Sequence, residues 1–111
     1  NEKILQIIYF DFDKSELSQV SINSIKSYIE KNSEIINKFI IVGHTDTKGT
    51  KKYNMNLSLQ RALAVKDILI NIGINNENIK ILAKGESSLL VKTEDEVEHP
   101  ANRRAEIGPL N

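Results

Sequence analysis

The sequence predicts an α/β fold, a two-layer sandwich in β-α-β-α-β-β order with two helices packed on one mixed four-stranded sheet. Three observations predict it. Short runs of strand formers alternate with longer segments of helical period. One of those runs, Phe39-Ile40-Ile41-Val42, is unbroken and ends at Gly43, which suggests a strand buried on both faces. The longest helical segment carries an inner stripe of Ala62, Val65, Leu69 and Ile72 and stops at Gly73, a residue suited to the left-handed turn that ends a helix. The length of 111 residues fits one domain spanning 1–111.

The first strand is expected over Ile4 to Phe10, broken by Asp11-Phe12-Asp13-Lys14-Ser15. A helix from about Ser18 to Asn32 follows. Ser18 is its expected N-cap, Leu17 and Ile22 have the spacing of a hydrophobic staple, and Ile22, Ile25 and Ile29 form its stripe. After the second strand a polar loop runs from His44 to Lys52. The second helix is expected from near Asn54 to Ile72. Ile79 to Gly85 reads as the third strand and Arg104 to Ile107 as the fourth. The connection between them, about Glu86 to Asn102, is long enough to hold a short helix or part of a site. Its Glu94-Asp95-Glu96 and Glu98 run reads as a solvated acidic face.

Composition excludes several classes of function. Fifteen basic and fifteen acidic residues balance to zero, which argues against a nucleic-acid partner that would need net positive charge. No run approaches the roughly 18 apolar residues of a membrane span. The chain has no cysteine, so disulfide scaffolds, thiolate catalysis and cysteine zinc sites are ruled out. His44 and Asp46 stand at alternate positions, but without a reliable third ligand they do not make a metal site. Asp13 and Asp46 could be imagined as a hydrolytic pair, yet nothing sets one apart as the acid, and no aromatic sugar platform is evident. Gly43 to Gly49 lacks the phosphate-loop pattern. No catalysis and no cofactor are expected.

Twelve of the fifteen basic residues are lysine; only Arg61, Arg103 and Arg104 are arginine. Where lysine supplies charge in general, arginine marks candidate positions for two-pronged anion recognition. At about 100° per residue, Arg61 falls inside the apolar arc of the second helix, with Leu57 and Ser58 flanking the same line. A guanidinium at the margin of a buried stripe needs an anion. That anion is either internal, from Asp46, Asp11 or Asp13, or the carboxylate of a ligand. Asp13 and Asp46 each lie just past the end of a strand, the usual place for a binding crevice in α/β sheets. A pocket lined by Arg61 and Asp46 would suit a zwitterion, with a helix N-terminus near Asn54 adding N–H donors. Arg103 or Arg104 is a further candidate support of the cleft.

At these residues the chain closely resembles the OmpA-like peptidoglycan-binding domains. The resemblance rests on Gly43-His44-Thr45-Asp46-Thr47-Lys48-Gly49, on Tyr53-Asn54-Met55-Asn56-Leu57-Ser58-Leu59-Gln60-Arg61-Ala62, and on Asn102-Arg103-Arg104 before a strand. Tyr9-Phe10-Asp11-Phe12-Asp13-Lys14 fits the opening segment, and Lys84-Gly85-Glu86 the third strand. Many relatives carry a proline after this Gly-Glu pair, where this chain has Leu90 or a neighbour.

The resemblance implies a non-enzymatic hold on the cell wall. It implies that Asp46 and Arg61 grip diaminopimelate in the peptide stem of peptidoglycan, and that Phe12, Asp13, Thr45, Asn54, Leu57 and Arg104 complete the site. Asp46 and Arg61 are expected to pair with each other until ligand separates them, and Arg61→Ala or Asp46→Ala to abolish binding with the fold intact. The implied place is the periplasm, with the domain excised from a larger envelope protein and membrane contact only through that parent. The competing expectation is a scaffold domain of the envelope, with Leu63 and Ile70 turned outward as a weak homodimer face.

Overall fold

The computed structural model describes residues 5–110. Six main elements follow the expected order: β1 (Gln6–Tyr9), α1 (Gln19–Asn32), β2 (Phe39–Gly43), α2 (Lys51–Asn71), β3 (Ile79–Ala83) and β4 (Arg104–Pro109). Short 3-10 turns occupy Asn76–Asn78 and Pro100–Asn102. Ile4, expected to open the first strand, lies outside the described residues.

The sheet order is β1-β4-β2-β3. Strand β2 pairs in parallel with β3, and β4 runs antiparallel to both β1 and β2. Three strands therefore point the same way. The loops after β1, β2 and β3 gather at one end of the sheet, and β4 begins there. This topology decides where a site can form.

Both helices lie on one face. Register places Ile41 opposite Ile107 and Ile81, and Ile8 opposite Ala105. Ile8, Ile41, Ala105 and Ile107 meet Ile25, Ile29, Val65 and Leu69 in the buried core. Tyr28 joins them, edge to face with Phe39 at 6.3 Å. Strand β2 is not buried on both faces as its apolar run suggested. Phe39 and Ile41 are buried, whereas Ile40 and Val42 are only half-buried. They lie on the outer face of a two-layer structure, covered by neighbouring strands and by no second set of helices.

The helix ends follow their local chemistry. Ser18 caps α1, its Oγ accepting from Ser21 N at 3.1 Å. Helix α2 starts nearly a turn earlier than expected. Thr50 is its N-cap, with Oγ1 accepting from Tyr53 N at 3.1 Å. The apolar periodicity could not reveal this, because the first turn is the polar and exposed Lys51, Lys52 and Tyr53. At the other end Gly73 has φ of 107°, Ile74 N bonds Leu69 O and Gly73 N bonds Ile70 O. This is the paired bonding by which a left-handed residue closes a helix.

Candidate functional site

A cleft of about 380 Å³ opens where the strand-end loops gather. Phe12 and Asp13 of the β1–α1 loop, Asp46 and Lys48 of the β2–α2 loop, Asn54, Leu57 and Arg61 of α2, and Glu96 of the β3–β4 connection all line it. Lys48, Asp46, Asp13, Glu96 and Arg61 bring both signs of charge to one recess.

Asp46 is fixed from three directions. Its Oδ1 accepts from Lys48 N at 3.2 Å, and its Oδ2 accepts from His99 N at 3.2 Å and from Arg103 Nη1 at 3.4 Å. Thr45 positions it from behind, with Oγ1 donating to Asp46 O at 2.8 Å. Thr45 does not line the cleft.

Arg61 corrects the expected pairing. Among the described residues it forms no ion pair. Its Nε donates to Lys14 O at 2.9 Å, Nη1 to His44 O at 2.9 Å and Nη2 to Asp11 O at 3.2 Å. Its guanidinium also lies 5.2 Å from the centroid of the Phe10 ring. Main-chain carbonyls, not Asp46, satisfy this buried cation, and in doing so they tie the first and second strand-end loops to α2. Burial pulls the Arg61 pKa down to about 10, opposed by Asp46 and Asp13 and reinforced by Arg103. The group stays charged at neutral pH. It is closed to solvent, at 0% exposure, and forms part of the cleft floor.

Asn54 does not offer a free helix N-terminus. Its main-chain N–H bonds Thr50 O. Its buried side-chain amide instead donates to Lys48 O at 3.0 Å, Glu86 Oε1 at 3.0 Å and Asp46 O at 3.3 Å. It thus pins the second loop to the residues after β3.

Arg104 is placed away from the cleft. It projects from the outer sheet face, where Nε donates to Glu106 Oε2 at 2.9 Å and Nη2 to Ser88 O at 3.1 Å. Its neighbour Arg103 reaches Asp46 instead. Strand alternation separates the two, because Arg104 opens β4 and shares the outer face with Glu106, while Arg103 precedes the strand.

The His44 ring shares that outer face. It is buried, its Nε2 lies 3.6 Å from Glu106 Oε1, and neither ring nitrogen has a hydrogen-bond partner among the described residues. The loop-shaping expected of this residue comes from its main chain, since N donates to Arg104 O and O accepts from Arg61. Burial first, then Arg104, lowers the His44 pKa to about 4 against the upward pull of Glu106.

The long β3–β4 connection is part of the site. Thr47 Oγ1 donates to Glu94 O at 2.6 Å and accepts from Val97 N at 3.0 Å, clamping the acidic run onto the second loop. Glu94, Asp95 and Glu98 are exposed as expected. Glu96 is exposed too, but it also has partners: its Oε1 accepts from Gly49 N at 3.3 Å and lies 3.8 Å from Lys48 Nζ, at the cleft wall. Tyr53 also lines the cleft, its hydroxyl bonded to Asp13 across the mouth.

A mixed sheet with helices on one face and a two-sign cleft at its loop-rich end defines a small α/β binding domain. The OmpA family model matches residues 9–103, and the chain belongs to that family. It is similar to a peptidoglycan-associated lipoprotein of Pseudomonas putida, 28% identical over 105 residues, covering 95% of this chain and 63% of that protein. An outer membrane protein A of Bordetella avium is 35% identical over 100 residues, covering 89% of this chain and 52% of that protein. Among solved structures, the peptidoglycan-associated lipoprotein of Burkholderia pseudomallei superposes with a TM-score of 0.80 at 26% identity, covering 93% of this chain and 88% of that one. The chain thus spans about three fifths of the length of the Pseudomonas putida protein. The family consists of structural binding proteins, and this domain is not an enzyme.

Proposed function

We propose that this domain binds peptidoglycan without chemistry, gripping the diaminopimelate of the peptide stem and so holding an envelope protein to the cell wall in the periplasm. The observation that carries the reading is the meeting of Asp46 and Arg61, from different elements, in one cleft of both charges. Peptidoglycan-associated lipoproteins among the relatives support peptidoglycan as the polymer bound.

In this reading Asp46 takes the ammonium of diaminopimelate, and the guanidinium of Arg61 takes its carboxylate. Three N–H groups of Arg61 are held by carbonyls. In this reading the second N–H on Nη1 and on Nη2 takes the carboxylate. Phe12 and Asp13 yield to admit the carboxylate. Both are exposed, and Asp13 sits at φ of 59°, an uncommon setting for a residue with a side chain. Asn54 and Leu57 form the wall beside the stem. Affinity is modest and falls with salt, because one zwitterion makes a small contact.

Titration with free diaminopimelate and with lysine, followed through backbone amide shifts, tests this. Diaminopimelate is expected to shift the amides of Asp13, Asp46 and Asn54, with lysine weaker. Equal shifts by the two ligands would remove the diaminopimelate assignment. Failure to sediment with purified peptidoglycan would remove the reading altogether.

A further inference from the structure

We infer that a trough beside the cleft, centred on Tyr9, receives the glycan of the same polymer. This rests on the cleft being the peptide-stem site. Tyr9 ends β1, the edge strand, and the alternation that buries Ile8 turns Tyr9 outward at 52% exposure. Two recesses flank it, and Tyr9 and Asp11 line both. One, of about 350 Å³, continues to Pro100 and Arg103; the other, of about 290 Å³, continues to Glu16 and Ser18. They share Tyr9 and Asp11, so the two recesses meet at the aromatic ring and together make the proposed trough.

The chemistry of the walls selects a class of ligand. Asp11 and Glu16 accept hydrogen bonds, Ser18 both gives and accepts, and the Arg103 guanidinium donates. A purely apolar partner would leave these groups unmatched. A phosphate backbone would face two carboxylates. A neutral, hydroxyl-rich ring with an apolar face fits: its hydroxyl and amide N–H groups meet the carboxylates while its C–H face lies on the tyrosine ring.

The trough adjoins the cleft, with Asp11 and Arg103 between them. Asp11 lines the trough while its carbonyl accepts from Arg61 Nη2 in the cleft floor. Arg103 lines the trough while its Nη1 meets Asp46. The two recesses thus share a wall made by Asp11 and Arg103. In this proposal a polymer held by its stem in the cleft lays its sugars on the adjoining Tyr9.

The test compares three probes on the intact chain and on Tyr9→Ala: the free stem tetrapeptide, the disaccharide tetrapeptide, and stem-free N-acetylchitotetraose. The disaccharide is expected to tighten binding roughly fivefold over the free stem, the scale of one aromatic ring contact. Tyr9→Ala is expected to erase that gain while leaving free-stem affinity unchanged. N-acetylchitotetraose is expected to shift the amides of Tyr9, Asp11 and Ala101. If the stem binds but the disaccharide adds nothing, or Tyr9→Ala keeps the gain, the glycan trough is overturned and the cleft reading stands. If the stem fails while chitotetraose shifts the trough, the cleft reading falls and the carbohydrate site stands. Silence from all three probes, or a trough answering only to peptide, overturns the proposal.

Discussion

Arg103 Nη1 lies 3.4 Å from Asp46 Oδ2, and the same arginine donates from Nε to Phe10 O at 3.0 Å. One side chain thus ties the end of the first strand to the acidic group of the cleft. Both partners are largely buried, at 14% and 5% side-chain exposure, so the contact is not a screened surface pair. Arg103→Ala leaves Asp46 with only its two main-chain N–H partners and frees the Phe10 carbonyl. The expected loss is about 2 kcal/mol in urea denaturation. Arg103→Lys keeps the charge but not the fork, and is expected to recover about half of that.

Arg61 lines the cleft and also holds three loop carbonyls, so its removal is expected to weaken the fold as well as binding. Arg61→Ala strips three carbonyls of their donor and opens a cavity beneath two loops. A loss of about 3 kcal/mol or more is expected, read from the denaturation midpoint. Binding to Arg61→Ala is therefore to be measured only where amide spectra show the fold. Asp46→Asn is the cleaner probe of the ligand. It keeps its shape, and diaminopimelate binding is expected to fall at least tenfold, about 1.4 kcal/mol.

Gly43 permits the closest approach of sheet and helix. A methyl group there would stand 1.8 Å from the carbonyl oxygen of Ser58 in α2. Backbone, not a movable side chain, is in the way. Gly43→Ala is expected to cost about 3 kcal/mol or more, and the amide of Gly85, which donates to Ser58 Oγ at 2.9 Å, is expected to exchange faster with solvent.

The element order and the placing of Asp13, Asp46 and Arg61 around one cleft were legible because periodicity and loop position carry them, whereas Phe12, Asn54 and Leu57 were reached as site residues only through the family resemblance. What Arg61 bonds was not. A buried arginine announces that it needs acceptors, but carbonyls of distant loops leave no mark on composition. Choosing between Arg103 and Arg104 required the register of β4, which one residue's shift inverts. The start of α2 was hidden by a polar first turn, although Thr50 is a good cap with its own signature. Glu96 was hidden inside an acidic run, since the clamp that brings it to the cleft depends on Thr47, which is 47 residues from Glu94 and 50 from Val97 in sequence and bonds both.

His44 makes stability depend on pH. Its pKa is about 4 in the folded chain against 6.5 for the free side chain, because burial and Arg104 disfavour the charged ring. Between those values the unfolded chain binds a proton that the folded chain does not. Stability therefore rises with pH across that window, and is lost as pH falls from 6.5 toward 4. The contribution is about 3 kcal/mol at most, and Glu106, 3.6 Å from Nε2, moderates it by favouring the charged ring. Urea midpoints at pH 7 and pH 5 are expected to differ in the native chain and to converge in His44→Gln, which cannot titrate. An unchanged difference in His44→Gln would assign the slope to carboxylates, whose folded-state protonation would then dominate acid unfolding.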